Sequence, residues 1–273
     1  MYSVKYHVFI IQGVIMIGDF KYFLKNTVRK TIDKNQTDIF KGIPAPAIEK
    51  PCPIDAVKID LPNKDSWQQY IKGTTVEQAI AERKSRRKYS LQKLTLPELS
   101  FLLWATQGIR GIPTDSNAYR TVPSAGCRHA IETYLAVFNV EGLEKGIYRY
   151  LPLTHQLVIV NNYIDSDSNA SDNLEQLVIA ATSGQTFVAK AAVTFFWATI
   201  PYRSEWKFSI AAYKDIAFDV GHICQNLYLA CEAIDAGTCA VAAYDQELVD
   251  SLLGLDGEDE FVIYVAPVGK VSA

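Results

Sequence analysis

Several common functions are excluded by what this chain lacks. Lys plus Arg number 27 against 30 Asp plus Glu, a formal charge of −3, so no basic field marks a nucleic-acid binder. The five cysteines (Cys52, Cys127, Cys224, Cys231 and Cys239) contain no CxxC pair. That argues against a zinc site or a disulfide framework and fits a reducing, cytoplasmic setting. The four histidines (His7, His129, His155 and His222) show no ligand spacing. GxSxG, GxxxxGK[ST], HExxH and GxGxxG are all absent, which removes the signatures of elbow hydrolases, P-loop enzymes, zincins and Rossmann dinucleotide binders. Ser124 in VPSAGC lacks the leading flanking glycine of a nucleophile elbow, Val122 standing in its place. The apolar run Val8–Gly18 has 11 residues, far below the roughly 20 that span a bilayer. Gln12 interrupts it and no small-residue cleavage site follows, so a signal segment and a stretch upstream of a start at Met16 are both open readings.

What is present is a substantial core. The 273 residues are 49% apolar and include 12 Phe, 4 Trp and 15 Tyr, enough for one large domain or two small ones. Residues 1–72 read as an irregular lead-in, and Pro44, Pro46, Pro51 and Pro53 favour an extended arm lying along a surface. Regular structure is expected from 73 to 273. Thr75 with Gln78 and Thr95 with Glu98 have capping-box spacing, each opening an amphipathic helix; Gly108 is the expected stop of the second. Residues 131–140 read as a strand, 141–152 as a turn into a second strand, and 191–200 as a strand buried on both faces. Ile216, Val220, Ile223, Leu227 and Ala230 predict a long core helix. Cys224 and Cys231 sit two turns apart on it, about 10 Å, which suits buried thiols better than a redox pair. A last strand runs through EFVIYVAPVGK. Helices and strands mix without a strict βαβ rhythm, so the expected class is α+β.

Two stretches stand out chemically. In ERKSRRKYS, Arg83, Ser85 and Arg87 alternate where a helix gives way to an extended segment. Alternation places a guanidinium–hydroxyl–guanidinium fork on one side, suited to a phosphate monoester, although a solvated basic helix end has the same composition. In YRTVPSAGCRH, the small residues Ser124, Ala125 and Gly126 let a flat ligand approach the backbone closely.

Taken with RKSRRKY (83–89), LTLPELSFLLWATQGI (94–109), YRTVPSAG (119–126), the strand pair of 131–157, FDVGHICQNLYLACEAI (218–234) and LLGLDGEDEF (252–261), the chain resembles the nitroreductase-like flavoproteins, in particular the SagB-type dehydrogenase branch. The resemblance spans roughly residues 75–270. It implies an α+β sandwich, a mostly antiparallel sheet flanked by helices, acting as a homodimer that holds FMN between subunits. It assigns Arg83, Ser85 and Arg87 to the FMN phosphate and ribityl chain, and Pro123, Ser124, Ala125, Gly126 and Cys127 to the isoalloxazine edge. Ala242 and Ala243 would lie over the flavin, and Lys270 would reach the phosphate. The implied reaction is hydride transfer through flavin N5: NAD(P)H as donor and a small nitroaromatic or quinone-like acceptor. The alternatives are oxidation of a peptide azoline to an azole and a flavin binder without turnover. Azoline-oxidising relatives carry a Lys-Tyr pair where this chain has Lys207-Phe208, with Tyr213 nearby, so Lys207 and Tyr213 are the catalytic candidates.

Overall fold

The computed structural model describes residues 21–111, 117–162 and 171–271; the apolar run Val8–Gly18 lies outside them. The helices are α1 (Lys21–Leu24), α2 (Lys64–Trp67), α3 (Val76–Glu82), α4 (Leu96–Gln107), α5 (Ser171–Ala181), α6 (Tyr202–Phe208), α7 (Ala212–Glu232) and α8 (Gln246–Leu253). The strands are β1 (Lys58–Asp60), β2 (Ile131–Val137), β3 (Gly146–Leu151), β4 (Gln156–Asn162), β5 (Val193–Thr199), β6 (Ala236–Thr238) and β7 (Phe261–Lys270). They form one sheet in the order β1-β4-β3-β2-β5-β7-β6, every neighbouring pair antiparallel.

The central strands β2, β3 and β5 are buried along their whole length, as expected where helices cover both faces. On one side α4 and α7 pack Leu99, Leu102, Leu103, Ile216, Ile223 and Leu227 against the sheet. On the other, α5 and α8 bring Leu174, Val178, Val249 and Leu253. Both predicted capping boxes form. Cys224, Cys231 and Cys239 are free and buried, and burial pushes the Cys224 thiol up to about 12. No helix among the described residues is long and apolar enough to cross a membrane.

The lead-in departs from its expected irregular character. Its residues 58–60 form the edge strand β1, and Leu61 and Trp67 join the core. The sequence shows too short an alternation there to read as a strand; pairing with β4 creates it.

The proline-rich arm is held by buried arginines. Proline has no N–H, so the arm presents more acceptors than donors, whereas each guanidinium carries five donors and no acceptor. Arg149 donates to the carbonyls of Lys50 (2.7 Å) and Pro51 (3.0 Å), and Arg120 to that of Ile48 (2.7 Å). Arg128 reaches Pro46 (3.4 Å) and lies 4.8 Å from the Trp206 ring. At the centre is Glu132 of β2, 2% exposed. It pairs with Arg203 of α6 (2.7 Å) and Arg149 of β3 (3.4 Å), and accepts the Lys50 N–H (2.9 Å). Burial works to raise its carboxyl, but Arg203, Arg149 and Arg120 outweigh burial and hold it below the usual carboxylate range.

Replacing Glu132 with Gln keeps the shape and removes the charge that neutralises these arginines. The expected loss is roughly 3–5 kcal/mol of folding stability, read as a lower denaturant midpoint. A midpoint equal to that of the parent would mean that the carbonyls of the arm suffice.

Candidate functional site

The first half of the site starts where α3 ends. Arg83 leaves the helix at φ −59°, ψ 130°, and the next residues run extended beside β6, where Ser85 bridges Thr238 and the Arg86 N–H donates to the Thr238 carbonyl (2.9 Å). Side chains therefore alternate. Arg83 lies 5.2 Å from the Tyr228 ring, and Arg87 lies 5.8 Å from that of Phe187. Neither guanidinium has a carboxylate partner among the described residues. Ser85 Oγ is 2.9 Å from the Tyr228 hydroxyl, whose oxygen already accepts the Ala240 N–H (2.8 Å). If the phenol donates its own hydrogen to Ser85, the serine hydrogen is left for a ligand. Arg86 faces the other way, paired with Glu232, and its stem lies on Gly237, where a Cβ would come within 2.6 Å of Arg86 Cδ.

Ala242 and Ala243 are exposed and connect to the same region. Gln185 Nε2 donates to the Ala243 carbonyl (2.8 Å), two residues before the Phe187 that faces Arg87. Lys270 is placed differently from the expectation. Its ammonium is buried, donating to Glu98 Oε1 (2.7 Å) and to the Ile234 carbonyl. Glu98 closes the α4 capping box and is itself 5% exposed, so a buried carboxylate claims this cation before any phosphate can.

The second half is the Pro123–Cys127 loop. Ser124 Oγ donates to Asp219 Oδ2 (2.6 Å) and accepts the His129 N–H (2.9 Å), while Asp219 Oδ1 accepts the Ala125 N–H (3.2 Å). Ser124 therefore organises the loop and is not set up as a nucleophile. Burial raises the Asp219 carboxyl above its usual value, against the pull of Ser124 and Ala125. Gly126, Cys127 and His129 take φ of 57°, 59° and 46°, folding the chain tightly. At Gly126 a Cβ would lie 2.6 Å from Phe208 Cζ and 3.1 Å from Lys207 Cδ. The Ser124 and Gly126 N–H groups bond to no described residue and are free for an acceptor atom. Cys127 Sγ donates to the Ala118 carbonyl (3.1 Å).

Lys207 is thus brought beside the loop, half-buried, with its ammonium 5.5 Å from the Phe208 ring and no carboxylate partner among the described residues. Tyr213 is not brought there. It borders Pro201 and Phe261, and its hydroxyl is hydrogen-bonded to Glu205, which with burial pushes it up to about 12. Arg29 completes the surroundings: it grips Asp215 with Nη2 (2.6 and 2.8 Å) and lies 5.8 Å from the Phe208 ring. Sequence reasoning missed Asp219, Tyr228 and Arg29. A carboxylate and a phenol at the two margins of the apolar face of a predicted core helix were the readable signal for the first two; nothing local marked Arg29.

The two halves meet opposite faces of one helix. Asp219 and Tyr228 are nine residues apart on α7, which is about 180° around the axis and about 13 Å along it.

A family model described as the nitroreductase family matches residues 80–270. The chain belongs to the nitroreductase family. A protein of Methanocaldococcus jannaschii named as a nitroreductase is 30% identical over 79% of this chain and 98% of its own length. The trifolitoxin-processing protein TfxB of Rhizobium leguminosarum is 27% identical over 73% of this chain, which spans 52% of that protein. A crystal structure from Ralstonia eutropha, also named as a nitroreductase, shares the fold with a TM-score of 0.61 at 23% identity, covering 84% of this chain and 99% of that one.

Two outcomes test the loop half of this nitroreductase-family chain. Gly126→Ala meets both a positive φ and the Phe208 ring, so it should cost about 1–3 kcal/mol, and adding Phe208→Ala should recover only the steric part. A denaturation series on both variants decides it. Burial, together with Arg120, pushes His129 down to about 3 from an ordinary value near 6.5. Between about pH 6.5 and 3 the unfolded chain binds a proton that the folded chain refuses, so this contribution is full above about 6.5 and falls with acid. His129→Asn, tolerated at positive φ, should flatten the acid limb of stability against pH; an unchanged limb would sink the assignment.

Proposed function

We propose that the chain is an FMN-dependent oxidoreductase, acting as a homodimer that passes electrons from NAD(P)H to a small quinone-like or nitroaromatic acceptor. The observation that carries the reading is the pair of guanidiniums without carboxylate partners among the described residues, Arg83 and Arg87, on either side of Ser85 in a nitroreductase-family chain. Charged donors with no acid to neutralise them suit a phosphate dianion. The donor set therefore fits FMN: Arg83, Ser85 and Arg87 would hold the phosphate, and the Ser124 and Gly126 N–H groups would meet the ring edge. FMN supplies hydride acceptance and release at N5.

The chain's own residues bind and position. Asp219 holds the loop by its Ser124 and Ala125 bonds, Phe208 walls off Gly126, and Lys207 sets a positive charge at the loop. The opposite placement of the halves on α7 supports a dimeric site in which the fork of one subunit and the loop of the other face the same flavin.

Azoline oxidation is the second reading, favoured by the likeness to TfxB and by Lys207 standing at the loop. Phe208 weighs against it: a phenyl ring cannot take up the proton released in azole formation. Tyr213 is engaged with Glu205 instead.

The purified protein should be yellow and should bleach on anaerobic titration with NADH or NADPH. A colourless protein that takes up no FMN would end the proposal. Arg87→Ala should remove a charge-assisted bond worth about 1.5–3 kcal/mol, weakening FMN at least roughly tenfold; parental retention would displace Arg87 from the phosphate. Turnover of a small azoline peptide with menadione and nitrofuran left untouched would select the second reading.

A further inference from the structure

The extended segment that carries the phosphate fork has a second face. It lies beyond β6, the last strand of the sheet. The Arg86 N–H is spent on Thr238; the alternate N–H groups of Ser85 and Arg87 turn away from β6 and bond to no described residue. Lys84, Arg86, Arg87 and Lys88, with Lys72, line a groove of about 850 Å³ whose other charged lining is Glu82, Glu232 and Asp235, so the basic groups outnumber the acids by five to three. Arg86 is paired with Glu232 and Lys72 with Asp235. Lys84 and Lys88 are exposed and have no carboxylate partner among the described residues.

We propose that this groove binds an acidic peptide segment in extended form, added along the open edge at Ser85 and Arg87 with carboxylates on Lys84 and Lys88. Three features favour that occupant. An open strand edge is a template for another extended chain. Lys84 and Lys88 are four residues apart, about 13 Å on an extended backbone, the distance between every fourth residue of an extended peptide. The aromatic ring at the groove, Tyr89, is committed elsewhere: its hydroxyl donates to the Arg86 carbonyl (2.9 Å) and its ring lies on Gly269. A nucleotide base finds no stacking surface there, and the groove is far larger than a single inorganic phosphate needs. The chain as a whole is net negative, so the attraction is local to these lysines.

Arg87 borders both the groove and Phe187, but Lys84 and Lys88, the side chains that would meet the peptide carboxylates, are not fork residues, so peptide binding and FMN binding are read separately. The probe is a fluorescent octapeptide alternating Glu and Val, followed by anisotropy with the full-length protein. Binding is expected, at least roughly tenfold tighter than that of the Gln-Val counterpart, and weakening with salt. The pair Lys84→Glu and Lys88→Glu should abolish this preference while the FMN content stays at the parental level. The milder Lys84→Gln and Lys88→Gln pair serves if the reversal does not fold. N-methylation of alternate peptide amides should weaken binding through the lost edge bonds. Equal binding of the Gln-Val peptide, an unchanged lysine variant, indifference to N-methylation, or displacement by equimolar pyrophosphate would each overturn the proposal.

Discussion

The site depends on one buried carboxylate. Glu132 stands in the middle of β2 and neutralises guanidiniums arriving from α6 and β3, while the lead-in reaches it through the Lys50 N–H. Its electrostatic demand ties together parts of the chain that share little apolar contact. The Pro123–Cys127 loop runs directly into β2, and α6 carries Lys207 and Phe208 onto that loop. Arg203 is the α6 residue that Glu132 holds, and Arg128, at the loop's end, donates to the Arg203 carbonyl (2.9 Å). Moving this anion would move the loop and the helix that faces it. More guanidiniums gather here than carboxylates, and the excess is met by the acceptor-rich proline arm. The arm therefore completes the charge balance of the interior and is not a loose appendage.

The long helix α7 organises the rest. Its inner face supplies core residues, but Asp219 and Tyr228 project to opposite sides, each serving one half of the candidate site. Meanwhile Tyr213, Ala217, Phe218 and Gly221 leave an exposed, largely apolar strip along α7. The proposed homodimer would answer both the strip and the divided site, with a second copy packed against this helix.

Much of this was legible in the sequence because it is local. Capping boxes depend on residues three apart, and both formed. The alternating fork needs only an extended backbone. The buried strand β5 and the periodicity of α7 declare themselves in composition. What failed were features set at long range. Lys270 ends a strand in the position expected of a phosphate contact, yet Glu98, 172 residues away in sequence, captures its ammonium. The strand β1 has three residues, too few for a pattern, and exists through its pairing with β4. Arg29 reaches Asp215 across 186 residues, beyond any spacing rule.

The proton inventory around the Gly126 loop narrows the chemistry. Asp219 has both oxygens occupied by loop donors. His129 is kept neutral at physiological pH by burial and neighbouring guanidiniums, so it carries no imidazolium proton to give. The Cys127 thiol donates to Ala118, and Phe208 has nothing to exchange. Lys207 is the group left with an ammonium and no acid partner among the described residues. A site of this kind holds and orients, and adds positive charge where a reduced, electron-rich ring would lie, but it is poorly equipped to shuttle protons. Reduction of an acceptor that can draw its proton from solvent makes the least demand on such a site. Azole formation asks for a base at a fixed position, and where the resemblance to azoline oxidisers would set a tyrosine the chain has Phe208.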